Sequence, residues 1–305
     1  MNSRRVELVL SELENCFEQA ELAYGHGMSS ALDEAAHLIA FVISDEPTLT
    51  ERHMGLEITE KQQHKLDELV TQRINLRRPA AYLTGWAWFA GVPFEVDRRA
   101  IIPRSPIAEL LVDGFAPWVE ADQVTSILDM CAGTGCIAMV AAMVFADAQV
   151  DAAELSPKAL ELALQNRTRL GLQERVRLVE SDLYSALKNG QYDLIISNPP
   201  YVPALRQMPA EYGHEPAMAL FAGDDGLDLA LPILAGAIDH LRPGGWLVLE
   251  VGEAQQALMD VLPELPAIWM EFEWGGEGVM MISRSDLQTC ESRLRSLASQ
   301  RALHD

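Results

Sequence analysis

Between residues 124 and 251 the chain alternates short apolar runs with longer amphipathic stretches, and this restricts its fold more than any other feature. Runs at 124–130, 149–153, 176–180, 192–196 and 246–251 have the length of buried strands. Stretches at 135–146, 156–170 and 227–241 repeat apolar residues at helical spacing. Parallel strands need a crossover that a tight hairpin cannot supply, so this order predicts a parallel sheet covered by helices. The helix at 156–170 is punctuated at both ends: Ser156 is a natural N-cap, Pro157 suits the first helical position, and Gly171 closes it. Only the end breaks the pattern. Residues 268–274, Gly275-Gly276 and 279–283 read as a hairpin, which puts one antiparallel strand into a mostly parallel sheet, and the last twenty residues read as a polar helical tail.

Upstream the periodicity is helical only. Leu8, Leu10, Leu13 and Phe17 recur on one face, as do Ala35, Leu38, Ile39 and Val42, and Thr59 caps a helix expected over 61–74 with Glu60 in its first turn. Residues 1–80 are thus expected to form a small all-helical domain, too mixed for a catalytic core and suited to docking a substrate. Near Arg78-Pro79 the pattern changes to aromatic-rich runs at 81–89 and 93–97 with Gly91 at the bend. This predicts a β-hairpin linker over 81–103, followed by an α/β domain over 104–305.

The glycine loop joins the first strand of that sheet to its first helix. It reads Asp129-Met130-Cys131-Ala132-Gly133-Thr134-Gly135. Gly133 and Gly135 let the backbone pass close to a ligand at a helix amino terminus. With Ala138 the spacing satisfies G-x-G-x-x-[GA], and Glu154 ends the next strand where a ribose would be read, so a nicotinamide enzyme is a serious rival on this motif alone. Three features favour S-adenosylmethionine. Asp129 precedes the loop, where a carboxylate reaches a methionine ammonium group; Asp182, followed by Leu183, ends the third strand beside an adenine amino group; and Asn198-Pro199-Pro200-Tyr201 ends the fourth. Polar residues at successive strand ends are what binding at the carboxyl edge of a parallel sheet requires.

Asn198-Pro199-Pro200-Tyr201 has its own logic. Two prolines hold the chain extended and remove two N–H donors. The Asn198 side-chain oxygen and the Pro199 carbonyl can each accept one hydrogen of a planar NH2 group lying on Tyr201. A strand-ending turn would use the same residue types.

Bulk properties narrow the choice of partner. The net charge is −22, and residues 1–85 and 86–305 are both acidic, with eight Lys/Arg against fourteen Asp/Glu and fifteen against thirty-one. Such a field disfavours phosphate backbones and favours basic proteins. Cys16, Cys131, Cys136 and Cys290 show no C-x-x-C spacing, which predicts free thiols in a reducing cytoplasm and no metal site. No apolar run is long enough for a membrane span, and Met1–Arg5 leads into acidic sequence unlike a signal peptide.

Together these motifs resemble the class I methyltransferases, and within them the HemK-type protein glutamine methyltransferases. The resemblance extends over Pro103-Arg104-x-x-x-x-Glu109, Ser181-Asp182, Gly223-Asp224-Asp225-Gly226-Leu227 and the Gly275-Gly276 hairpin. It implies a Rossmann-like sheet and S-adenosylmethionine held by Asp129, Cys131, Ala132, Gly133, Thr134, Gly135, Glu154, Asp182, Leu183 and Asn198. It further implies Asn198, Pro199 and Tyr201 as the catalytic group, with Pro200 and Arg104 also contacting substrate. Ser105-Pro106-Ile107-Ala108-Glu109 stands where release-factor enzymes usually have Pro-Asp-Thr-Glu, so the chain looks like the branch acting on the third large-subunit ribosomal protein, a basic substrate met free or in an early assembly particle. Cys131 stands where the family often has glycine. The rivals are release-factor glutamine methylation, adenine amino methylation of nucleic acid, which would need a basic groove, and a ribosome-assembly adaptor that keeps the fold. His214 and His240 occupy no motif position and read as surface or packing residues.

Overall fold

The computed structural model describes residues 4–44, 48–187, 190–273 and 275–301. It divides into two compact units: Met1–Arg98 with Ile102–Arg104 and Met208–Glu215, and Arg99–Ile101 with Ser105–Gln207 and Pro216–Asp305.

The first unit is built on α1 (Val6–Gln19), α2 (Ala31–Ile43), α3 (Glu51–Met54) and α4 (Glu60–Asn75). Val9, Leu13 and Phe17 of α1 bury against Leu38 and Ile39 of α2 and Leu66 of α4. Each such side chain removed from water stabilises the unit by about 1.5–3 kcal/mol. Ser30 caps α2 by accepting from the Asp33 N–H, and Thr59 and Gln62 form a reciprocal capping box on α4. Arg4–Arg5 (β1) and Glu57–Ile58 (β2) pair as a short antiparallel ribbon that helical periodicity gave no sign of. Residues 81–84, expected as strand, are helical within α5 (Ala80–Thr84). Pro79 starts that turn without needing an N–H, and Gly85 closes it at φ 81 by donating to the Ala81 carbonyl at 2.8 Å. The hairpin follows in this same unit, as β3 (Trp86–Phe89) and β4 (Val92–Glu95).

The second unit opens with α6 (Ile107–Val112) and holds one seven-stranded sheet. Its strands are β5 (Ser126–Met130), β6 (Gln149–Glu154), β7 (Val176–Glu180), β8 (Tyr192–Ser197), β9 (Leu241–Glu250), β10 (Ile268–Trp269) and β11 (Val279–Ser283), in the order β10-β11-β9-β8-β5-β6-β7. β5 to β9 pair in parallel, and β11 pairs antiparallel with both β9 and β10, so only β11 runs against the others. The fold is that of the class I methyltransferases. The 268–274 arm pairs only over Ile268–Trp269, and Trp274 lies outside the described residues.

Helices α7 (Cys136–Val144), α8 (Pro157–Arg169) and α9 (Ala230–His240) fill the crossovers; α10 (Gln255–Val261), α11 (Arg284–Thr289) and α12 (Glu291–Arg301) follow. Leu231, Ile233 and Leu234 of α9 and Leu294 of α12 share a core with Ile195 of β8 and Leu247 of β9. Central strands covered on both faces read as unbroken apolar runs, which is why β8 and β9 stand out in the sequence. From β5 the chain winds outward through β6 to β7, then returns to place β8 on the other side of β5. The carboxyl ends of β5 and β8 therefore flank the topological switch point, where sheets of this kind open a crevice.

Candidate active site

A cleft lies along that carboxyl edge, enclosing about 710 Å3 unfilled by atoms, its open mouth included. Each parallel strand from β5 to β8 contributes to its lining. Met130, Cys131 and Gly133 come from the end of β5, Ala153, Glu154, Leu155 and Ser156 from β6, Ser181, Asp182 and Leu183 from β7, and Asn198 and Pro200 from β8.

The glycine loop is held by its own backbone and by Glu154. Ala132 N–H donates to the Ala153 carbonyl at 3.0 Å, and Gly135 N–H to the Ala132 carbonyl at 2.8 Å. Glu154 Oε2 accepts from Gly133 N–H at 2.9 Å while Oε1 accepts from Ser156 N–H at 2.8 Å. The carboxylate at the β6 end thus faces the cleft in one orientation, with lone pairs left for two hydroxyls. Gly135 sits at φ 77, and a Cβ there would lie 2.7 Å from Met139 Cε and 3.3 Å from Ala163 Cβ, so close packing as well as the turn demands glycine. Cys131 adopts φ 63 without being glycine. The departure from the family pattern therefore falls on the cleft wall, where it costs on the order of 1 kcal/mol of backbone strain. Burial, reinforced by the charge of Glu154, pushes the Cys131 thiol up and keeps it protonated.

Asp129 lies beneath the loop and off the cleft lining. It is fully buried; Oδ2 accepts from Ala138 N–H at 2.9 Å, and Oδ1 has no hydrogen-bond partner among the described residues. Burial pushes its carboxyl up to about 8, the Glu154 charge adding to the shift and the Ala138 N–H opposing it. Ala132 and Thr134 are buried in the loop, and Asn166 Nδ2 fastens it to α8 by donating to the Thr134 carbonyl at 3.2 Å.

The acceptor end is tied to the loop end. Ser197 Oγ, fully buried, donates to the Met130 carbonyl at 2.8 Å and couples the last residues of β8 and β5. Beyond it, no hydrogen bond joins the Asn198 side chain to another described residue. Pro199 is buried, and the Tyr201 hydroxyl turns to Glu250 Oε1 at 3.0 Å. Arg104 belongs to the first unit, where Glu215 grips it at 2.6 and 2.9 Å. His214 Nε2 donates to the Leu76 carbonyl, and His240 stacks on Tyr184 with centroids 4.3 Å apart.

Sequence reasoning missed three contributors. Arg99–Ile101 and Pro216 with Met218 and Ala219 line the cleft; they stand just ahead of Pro103-Arg104 and Gly223-Asp224-Asp225-Gly226-Leu227 but belong to neither motif and carried no local signal of their own. Glu250 ends β9 as Glu154 ends β6, so the strand-end rule already in use would have found it.

The donor set fits an adenosyl ligand with a cationic tail. A carboxylate at the second strand end suits a ribose diol, Asp182 beside Leu155 and Leu183 suits a flat amino-substituted ring, and the Asp129 oxygen without a partner suits an ammonium group. Comparison with known proteins gives the family. Residues 108–211 match the methyltransferase small domain. The ribosomal protein uL3 glutamine methyltransferase of Francisella tularensis is 43% identical over 87% of this chain and 85% of its own length. That of Xanthomonas campestris is 42% identical over 93% of both. Among solved structures, the hMettl16 catalytic domain in complex with MAT2A 3′UTR hairpin 1 superposes with a TM-score of 0.50 over 80% of this chain and 88% of that one, at 15% identity, a likeness of fold alone.

Proposed function

The chain belongs to the ribosomal protein uL3 glutamine methyltransferases, and from that membership we propose how its cleft performs the transfer. The enzyme methylates the side-chain amide nitrogen of a glutamine in ribosomal protein uL3. S-adenosylmethionine, the donor the family implies, supplies an electrophilic sulfonium methyl when bound. Glu154 holds its ribose hydroxyls, Asp182 its adenine amino group against Leu155 and Leu183, and the glycine loop with Asp129 its methionine end.

An amide nitrogen is a weak nucleophile because its lone pair is delocalised into the carbonyl, so orientation is the main demand on the protein. Asn198 Oδ1 and the Pro199 carbonyl accept one amide hydrogen each, and Tyr201 supports the plane of the group. Fixing both hydrogens aims the nitrogen into the cleft, a proximity effect worth several kcal/mol, up to about 10. As hydrogen-bond acceptors the same two oxygens would stabilise positive charge growing on the amide nitrogen. Arg104 and the helical residues 1–80 serve to dock the protein substrate, which is taken up in the cytoplasm before the ribosome is complete.

One observation carries this reading: Asn198 and Pro200 open onto the same cleft as Glu154 and Asp182. The test is Asn198→Ala. It is expected to keep affinity for S-adenosylhomocysteine and lose methyl transfer to uL3 by two orders of magnitude or more, on the order of 10²-fold being the cost of misplacing a reacting group. Equal loss of both would make Asn198 a structural residue.

A further inference from the structure

We propose that Glu250 is a positioning residue: it holds Tyr201, and through it the Asn198–Tyr201 segment, in the geometry that methyl transfer requires. This rests on the reading of Asn198–Tyr201 as the acceptor site. Glu250 is the last residue of β9 and is 3% exposed. Its carboxylate takes one hydroxyl on each oxygen. Oε1 accepts from Tyr201 OH at 3.0 Å, and Oε2 accepts from Ser105 Oγ at 2.5 Å. Ser105 Oγ in turn accepts from Ile107 N–H at 3.1 Å, at the start of α6. One buried group thus fastens the acceptor segment, the end of β9 and the start of α6 together.

The remaining freedom of Tyr201 is removed by backbone. A Cβ on Gly252 would lie 2.4 Å from Tyr201 Cε2, so the ring lies directly on the Gly252 main chain. A Cβ on Gly226 would lie 2.1 Å from the Tyr201 carbonyl oxygen, so that glycine closes over the peptide. Val251 and Gly252 N–H both donate to the Gly278 carbonyl, at 2.7 and 3.2 Å, which anchors the backbone under the Tyr201 ring to the segment entering β11. Ring and hydroxyl are therefore both seated at the end of β9, on Gly252 and Glu250, and the carbonyl on Gly226, so that Glu250 sets the direction in which the ring points. In a reaction governed by orientation, that direction enters kcat.

The experiment measures methyl transfer from S-adenosylmethionine to purified uL3 by full-length variants, with S-adenosylhomocysteine affinity and thermal melting measured on each. Glu250→Ala is expected to lower kcat about tenfold or more while KM for S-adenosylmethionine stays within about threefold. Glu250→Gln, which keeps an acceptor oxygen at the same reach, recovers most of the loss. Tyr201→Phe loses a similar factor, and adding it to Glu250→Ala costs nothing further, because the Tyr201–Glu250 contact it removes is already gone. Full kcat in Glu250→Ala, an equal loss of cofactor affinity, or losses that multiply in the double variant would overturn the proposal. Ser105→Ala leaves the carboxylate but loosens it; if Glu250→Ala does not fold, a kcat loss in Ser105→Ala and Tyr201→Phe supports the role and full activity in both refutes it. Tyr201→Ala separates this from the underlying reading. If it is fully active, the acceptor site itself is misassigned; if it is inactive while Tyr201→Phe and Glu250→Ala are fully active, only the role of Glu250 fails.

Discussion

Asp129 holds the glycine loop, and in the proposed function it also meets the ammonium end of the ligand. Its Oδ2 holds the first turn of α7 through Ala138, while Oδ1 has no partner among the described residues. Burial raises its pKa from 3.8 to about 8, so in the folded protein without ligand the group is mostly protonated at neutral pH. The folded state then binds more protons than the unfolded one between pH 4 and 8, and this group removes stability as pH rises through that window. A ligand ammonium group beside Oδ1 favours the ionised form and reverses the shift. Calorimetry at pH 7 in buffers of different ionisation enthalpy is therefore expected to show proton release on binding S-adenosylhomocysteine, and Asp129→Asn is expected to abolish the release. Unchanged release in that variant would remove Asp129 from the ligand's tail. At this scale the sequence pointed to Glu154, Asp182 and Asn198 as polar residues after apolar runs, and all three line the cleft, whereas Asp129, singled out in the same way, lies buried beneath the loop. Arg99 and Met218 were not visible in it, because they reach the cleft only through tertiary folding and stand in no pattern.

Among the elements, legibility followed local chemistry. The helix expected at 156–170 forms over Pro157–Arg169 with Ser156 Oγ accepting from Ala159 N–H, because cap, proline and periodicity all agree. Residues 81–84 misled, since Tyr82 and Leu83 suit a strand as well as a helix and the turn is decided by Pro79 and Gly85. The stretch 202–225 showed no periodicity, and none could have revealed that Glu211 within it meets Arg73 of α4. Arg73 is fully buried, with its fork on Glu34 of α2 at 2.6 and 3.1 Å, on Glu211 at 3.2 Å and on the Ala23 carbonyl at 3.0 Å. Burial pushes the Glu211 carboxyl up, and its bonds from the Ala23 N–H and Arg73 more than reverse this. Removing the cation leaves two buried carboxylates facing each other. Arg73→Ala is predicted to cost about 3–5 kcal/mol in urea unfolding, whereas Arg242→Ala, which breaks the partly exposed pair with Asp193, costs about 1 kcal/mol or less. Equal effects would show that the Arg73 cluster is no more than a surface pair in energetic terms.

For the whole molecule the dominant quantity is the charge of −22. Such a charge is expected to favour a basic protein substrate and to oppose the phosphate of assembled ribosomal RNA, so uL3 is expected to be methylated before its surroundings are complete. Sequence made this charge plain, together with the sheet and its cleft edge, while the acceptor protein rested on a branch resemblance that relatives more than 40% identical now support. The most direct measurement is mass spectrometry of uL3 after incubation with the purified enzyme and S-adenosylmethionine, run in parallel on free uL3 and on finished large subunits. The account predicts one added methyl on a glutamine side-chain nitrogen of free uL3, little or none in the finished subunit, and none with Asn198→Ala. A methyl on another residue type or on ribosomal RNA, or an unmodified uL3 despite intact cofactor binding, would contradict it.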